Sequence, residues 1–461
     1  MIICILKLSF EKQFIQTYDL QGGVMKRLVL LVMLGVVSAS QVFGVGSGGF
    51  TDQIVGSKAL GMGNAFVATA DDPSAVFFNP AGLTQQKSPA ISLGFAPHIF
   101  SSEYKQDNGA ISNMEKHIPI VPNFYGTFPL REGKWAFAVG VNFPFGLKTQ
   151  WPDTGPLRYV ATESFLQVMQ INPTIAYRVN DQLSIGMGAV HARVSANLKA
   201  RMNLSALNTQ LSGGVPTLSP DGNKELDGSS SGWGYNVGLL YQPFAKHSLG
   251  ASYRSQIQNR IKGKTHLSNL SGVAASAPVF GGDKYSVDTE TDLNLPQSLI
   301  LGYAFKHGNW TMETDAEWVD YSSIQQNKFD FKGEDNATRL AVLNSGNPVP
   351  RQWHSSWNFG AGANYKFNDT WQARGGYFYF SESVPEKTWD PSIPESPRSG
   401  FSFGGGWTFS SVTLDLTYLF LPFQKRTIHN TVGVASEATV NGEYSTTFHI
   451  LSANITYRFG G

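Results

Sequence analysis

The chain is 461 residues long, with 35 Lys and Arg against 34 Asp and Glu and a formal charge of +1. That balance gives no nucleic-acid footprint, and charged residues at 15% fall below the roughly 25% of ordinary soluble domains. Aromatics at 13% and 48 glycines, with only 41% hydrophobic residues, argue against a bundle of transmembrane helices and for alternating strands with one oily face.

Met25-Lys26-Arg27 is followed by an apolar run from Leu28 to Val37 and then by Ser38-Ala39-Ser40. Charge, a short apolar stretch and small residues make a secretory signal peptide, and the run is too short to span a bilayer as a helix. Residues 25–44 are assigned to that peptide, with cleavage expected after Gly44. Residues 1–24 read as an extension upstream of the true start, because Gln21-Gly22-Gly23 translates a ribosome-binding site. The sole cysteine, Cys4, lies in that extension, so the mature chain has no disulfide framework and no thiolate metal site. No cofactor or metal is expected. Residues 45–87 are rich in Gly and Ala and lack a strand-length alternating run. They read either as a plug filling a lumen or as a loose periplasmic leader.

From residue 88 to 461 the pattern has period two. Leu451, Ala453, Ile455 and Tyr457 share one face while Ser452, Asn454, Thr456 and Arg458 share the other. Val412, Leu414, Leu416 and Tyr418 alternate with Thr413, Asp415 and Thr417, and Leu249, Ala251, Tyr253 and Ile257 with Ser248, Ser252, Arg254 and Gln256. Fourteen such segments centre near residues 94, 124, 139, 171, 189, 237, 254, 298, 317, 360, 376, 404, 418 and 452. Six tight turns, at 131–134, 179–181, 243–246, 306–309, 368–370 and 410–411, alternate with longer polar loops, notably 198–231, 263–288, 326–350, 383–397 and 424–444. Trp135, Tyr177, Tyr241, Phe305, Trp310, Phe367 and Trp371 beside the turns form an interfacial belt. The fold class is therefore all-β: a 14-stranded antiparallel transmembrane β-barrel with a small N-terminal hatch, or plug, inside the lumen.

Several residues carry a chemical expectation. Asn142-Phe143-Pro144-Phe145-Gly146 interrupts the third strand. Pro cannot donate to a ladder and Gly permits a bend, so Phe143, Pro144 and Gly146 mark a bulge or kink, unless Pro144 only ends the strand. Arg193 continues the face of Leu183, Ile185 and Met187, which suggests a bulge that turns it inward. There its guanidinium would pair a ligand carboxylate, or one of the barrel's own acids. Arg254 has the same two readings. Glu313, Asp315 and Glu317 share one face and read as a lumen wall balanced by Arg and Lys across the barrel. Leu204, Leu207, Leu211, Leu267, Leu270, Val273, Val279 and Phe280 would line an outer hydrophobic groove or pack among themselves. A barrel lipid hydrolase would need a nucleophile and an oriented base. The nine histidines are scattered and only His354-Ser355-Ser356 offers a pair, so no enzyme is expected.

Ala70-Asp71-Asp72-Pro73-Ser74-Ala75-Val76-Phe77-Phe78-Asn79-Pro80-Ala81-Gly82-Leu83 resembles the plug signature of the FadL/TodX family of outer-membrane hydrophobic-compound transporters. Gln170–Tyr177 is similar to that family's fourth strand and Ser248–Ser255 to its seventh. Leu295–Leu299 with Asp315–Trp318 resembles the eighth and ninth, and Ile393–Arg398 the segment before the twelfth. The order of these motifs, over most of the mature chain, is what makes them specific. The chain departs from the pattern in ending Phe459-Gly460-Gly461 and in carrying Tyr321-Ser322 where many relatives have Trp-Ser.

The resemblance implies passive uptake of long-chain fatty acids, or of aromatic hydrocarbons or alkanes, into the outer membrane of a Gram-negative bacterium. Ligand would enter a groove made by long loops and pass to an inner pocket with Arg193, Arg254, Phe145, Leu267 and Phe280 as contacts. Asn79, Pro80 and Ala81 would form the hatch gate, although Asn and Pro also favour a plain turn. Release would be lateral, at the third-strand kink. The implied partners are the hydrophobic ligand, outer-membrane lipid and lipopolysaccharide, and the barrel assembly machinery; a monomer is expected.

Overall fold

The computed structural model describes residues 50–460 other than 52, 132, 217, 271–278, 435 and 436. The upstream extension, the signal peptide with its cleavage site, and residues 45–49 lie outside the described residues. Seven strands run first: β1 (Ala90–Gln106), β2 (Ile120–Leu130), β3 (Trp135–Gln150), β4 (Glu163–Arg178), β5 (Leu183–Met202), β6 (Gly222–Phe244) and β7 (His247–Arg254). Seven more follow: β8 (Gln297–His307), β9 (Trp310–Asp320), β10 (Ser356–Lys366), β11 (Trp371–Phe380), β12 (Arg398–Phe409), β13 (Val412–Pro422) and β14 (Gly442–Arg458). Sequential neighbours pair antiparallel, and β14 returns to β1 from Ala90↔Arg458 to Gln106↔Gly442. That closure leaves no sheet edge unpaired against lipid. All fourteen expected segments fall in these strands, and the six tight turns join β2–β3, β4–β5, β6–β7, β8–β9, β10–β11 and β12–β13.

Period two is what divides the wall. Leu416, Leu451 and Ile455 are exposed on the outside, while Thr413, Asp415, Thr417, Ser452 and Asn454 are buried within. Rings pair across strands beside the turns, Trp135 on Tyr177 at 4.4 Å and Trp310 on Tyr365 at 4.7 Å between centroids, as an interfacial belt requires. Ile257, expected on the outer face, is buried instead. β7 stops at Arg254, and the chain turns so that Ile257 bridges Leu295.

Three of the expected long loops are shorter than the sequence suggests. β5 and β6 continue to Met202 and from Gly222, and β6 has 23 residues where a tilted span needs about 9–11. Its first part pairs with a strand at Arg260–Ser268, which pairs with Tyr285–Asp292, which pairs with Phe329–Lys332. This protruding sheet puts Asp227, Lys264, Asp288 and Lys332 in one cross-strand row, and Lys262, Glu290 and Asp330 in the next. Its other face buries Leu226, Ile261, Thr265, Val287 and Thr289. Opposite charges directly across strands stabilise such a surface.

Candidate functional site

Inside the barrel, residues 53–89 form a small-residue hatch. Val55, Ala59, Phe66, Phe77 and Phe78 make its own apolar cluster, each buried Phe contributing about 1.5–3 kcal/mol. Ala75, Val76 and Leu83 pack on Tyr125 of β2, Ala136 and Ala138 of β3 and Ala176 of β4, where short side chains let the two backbones approach. At the Asn-Pro-Ala turn, the fully buried Asn79 accepts from the Ala81 amide at 3.1 Å and donates through Nδ2 to Val67 O (2.7 Å) and Leu239 O (3.0 Å). Pro80 sits at the first position of a short 3-10 turn, where its missing N–H costs nothing. It lies so close to Gly186 of β5 and Gly238 of β6 that a methyl on either would overlap it. The turn is therefore an anchor of the hatch on the wall.

The three carboxylates of β9 do something the sequence reading missed. They were expected to be balanced by cations across the lumen. Instead, Asp315 Oδ2 accepts from the Phe66 and Val67 amides (2.8 and 3.0 Å), and Glu313 accepts from the Ala68 and Thr69 amides (2.5 and 3.0 Å) and the Thr69 hydroxyl. Glu317 accepts from Gln53 Nε2 (2.7 Å) and Asn358 Nδ2 (2.8 Å), and keeps the expected cation, Arg254, within electrostatic reach. The physical reason is that the hatch loop carries consecutive backbone donors with no ladder to join, and a buried donor must find an acceptor. Two adjacent carboxyl groups supply those acceptors to four successive amides. A different lumen carboxylate, Asp415, does meet a cation, pairing with Arg374 at 2.7 Å.

Ahead of the hatch body, Phe50 and Thr51 form a strap along β3. Gly146 N–H donates to Phe50 O at 2.9 Å, and Thr51 bridges Phe145 antiparallel. The Phe50 ring packs among Phe145, Tyr321 and Trp353, each 5.9 Å away between centroids, and the Thr51 hydroxyl bonds that of Tyr321. β3 itself bulges there: its register with β4 shifts between Asn142 and Phe145, and its pairing with β2 ends at Phe124↔Val141. Phe143 and Pro144 thus fall in a real irregularity, at the level where β3 leaves β2, while Gly146 is back in register opposite Gln167.

Two cavities meet the strap. The outer one, about 1230 Å³ beneath the loops, is lined by Phe50, Leu147, Leu198, Leu226, Phe331 and Trp353 among others. It exceeds the usual ligand-pocket range of about 300–1,000 Å³. The inner one, about 30 Å³, is lined by Thr51, Phe77, Pro144, Phe145, Arg254 and Glu317. Phe145 and Arg254 are accordingly brought together; the Arg254 guanidinium stacks 3.7 Å from the Phe77 ring and donates to Phe77 O, leaving Nε without an acceptor.

Other expected contacts are not in this path. Arg193 is exposed on the outer face, because β5 and β6 pair without interruption from Leu183↔Tyr241 to Met202↔Gly222 and no bulge turns it inward. Leu267 and Phe280 are buried with Leu204, Leu270, Val287 and Leu343 in a cluster under the loops, so they pack among themselves rather than line the groove. Leu207 and Leu211 do face the outer cavity. Arg398 was not singled out as a site. It is fully buried on the inward face of β12, stacked near Phe380 and Phe423 (5.0 and 4.8 Å), and donates through Nη1 to Ser396 O at 3.2 Å. Its Nε and Nη2 have no acceptor. It lies within electrostatic reach of Glu395 and of Tyr321, the residue that holds the strap. Nothing in a two-residue period separates such a group from any other lumen charge.

Residues 37–459 match the family described as Outer membrane protein transport protein (OMPP1/FadL/TodX). The chain belongs to the FadL/TodX family. Within it, the chain is 26% identical over 392 residues to the long-chain fatty acid transport protein of Escherichia coli O6:H1, covering 80% of this chain and 86% of that one. It is also 26% identical over 426 residues to a 47 kDa outer membrane protein of Pasteurella multocida, covering 88% and 94%. In structure it resembles a Pseudomonas aeruginosa FadL homologue (TM-score 0.77, 19% identity, 89% of this chain and 100% of that one). The P. putida toluene transporter TodX is similar in fold (TM-score 0.70, 19% identity, 89% and 100%). The chain is therefore an outer-membrane FadL/TodX-type barrel of fourteen strands.

Proposed function

We propose that this barrel passively carries long-chain fatty acids from the outer cavity, past the strap, to the inner pocket beside the β3 bulge, with lateral release into the bilayer there. The observation that carries the reading is the strap: Phe50 lines the apolar outer cavity, while its neighbour Thr51 lines the inner pocket. A hydrophobic solute crosses a water-filled pore poorly, so an apolar conduit opening sideways suits it. Arg254, in the lining of the inner pocket, favours an anionic headgroup, and so does Arg398, buried behind Tyr321 at the strap. A buried cation with unpaired donors is costly, and a ligand carboxylate accepting from its fork would relieve that cost. Pro144 and Phe145 lie between the inner pocket and the place where β3 leaves β2, which is the exit the reading requires.

A second reading, uptake of aromatic hydrocarbons, rests on the rings of Phe50, Phe145, Tyr321 and Trp353 around the strap. Uptake of labelled oleate by a Gram-negative host lacking its own fatty-acid transporter decides between them. Expression of the chain restores uptake on the first reading. An assembled, heat-modifiable barrel without oleate uptake contradicts it and favours neutral hydrocarbons.

A further inference from the structure

A further cation faces the path, outside the membrane. Lys224 lies near the start of β6, where it pairs in register with Ala200 of β5 on one side and Leu267 on the other. It is half-buried and lines the outer cavity beside Leu198, Met202 and Leu226. Neighbouring cations on the same wall each have a polar partner, although Arg201 Nε has none. Lys199 pairs with Glu163 at 3.1 Å and Glu225 at 3.8 Å, Arg201 donates to Asn223, and Arg351 pairs with Asp390. Lys387, at the rim, is exposed to solvent. The Lys224 side chain has no hydrogen bond or ion pair to any described residue, although Glu225 follows it in sequence. The two-residue period sends Glu225 to the outer face of the sheet and Lys224 to the cavity.

An ammonium held on an apolar wall without a counter-ion is half of a binding site for an amphipathic anion. We propose that Lys224 is the outer headgroup station of the transport path: it takes the carboxylate of an incoming fatty acid while the acyl chain lies along Leu198, Leu226 and Leu207. This rests on the fatty-acid reading above and assigns it a first point of selection, ahead of the strap. The flexible stem of lysine lets the ammonium follow a headgroup without a fixed fork, which suits capture and release. The apolar cavity wall would accept any hydrophobic tail. Lys224 therefore favours acids over alcohols and hydrocarbons at low external concentration, where encounter rather than passage limits uptake.

The test uses the full chain in the outer membrane of the transporter-deficient host, with initial uptake rates for oleate and for oleyl alcohol, which has the same tail and no charge. Lys224→Met keeps an unbranched apolar stem. It raises KM for oleate roughly tenfold, equivalent to ~1.4 kcal/mol, and leaves the maximal rate in place. KM for oleyl alcohol stays as in the parent, and Lys224→Arg retains low KM for oleate. An unchanged oleate KM in Lys224→Met overturns the proposal, as does an equal rise for both ligands, which would mark a role in packing only. Failure of the fatty-acid reading shows separately, as absence of oleate uptake in the unsubstituted protein.

Discussion

Arg398 and Arg193 show what a single residue's environment adds to its identity. Both are arginines on barrel strands, yet one is fully buried among aromatic rings with two unpartnered donor groups and the other is exposed on the outer face. The sequence reading chose Arg193 because it assumed a bulge in β5; the uninterrupted β5–β6 register removes that bulge. Arg254 and Phe145, also read as ligand contacts, line the inner pocket. Arg398→Met is expected to lower oleate uptake by about tenfold or more, the cost of losing hydrogen bonds to a charged group. Uptake of a neutral aromatic should persist. Because the substitution also removes a buried, incompletely paired cation, the barrel should resist heat at least as well as the parent. Measuring both uptakes and the heat-modifiability of the barrel checks all three outcomes.

At the scale of elements, β9 and the hatch form a single unit. Four successive amides, Phe66 to Thr69, converge on Asp315 and Glu313, so the hatch body is bound to the wall through these two carboxyl groups. Replacing Glu313 with Gln and Asp315 with Asn keeps the shapes but puts donor amide groups where carboxyl oxygens accept, weakening the attachment by roughly 1 kcal/mol per lost bond. The double variant should conduct ions in planar bilayers where the parent conducts poorly; equal conductance would show that the carboxylates do not secure the hatch. The protruding sheet yields a prediction of a different kind. Arg260 holds the Glu290 carboxyl below the usual carboxylate range, and Lys328, then Arg260, does the same for Asp330. Carboxylates lowered in the folded state contribute stability at neutral pH that is lost as pH falls through their lowered values. Amide exchange, corrected for its intrinsic pH dependence, should therefore lose protection in Tyr285–Asp292 and Phe329–Lys332 under acid, while β9 and β14 stay protected. Equal protection at both pH values would contradict this. These ribbons were hidden in the sequence because their alternation is of charge with Thr, Gly and apolar residues, not of oil with polar residues. A search tuned to lipid-facing strands passes over them.

For the whole molecule, the sequence was most informative where the bilayer imposes a strict rule. Lipid demands an apolar outer face, so every second residue of β13 and β14 announces its direction, and the strand count and tight turns follow. The lumen imposes no comparable rule. Its polar groups answer to one another and to the hatch, and the partners of Glu313 lie some 245 positions away in the chain. That is why the hatch was legible as a compact segment and its attachment was not. The strap lies between two cavities and must move when ligand passes. Thr51 and Phe145 face each other across an antiparallel bridge, a spacing within reach of a disulfide. Cysteines at these two positions, in a mature chain otherwise expected to have none, would lock the strap reversibly. The decisive measurement is oleate uptake by this double variant before and after oxidation. The account predicts that oxidation stops uptake and that reduction restores it; uptake that continues with the strap locked to β3 would contradict it.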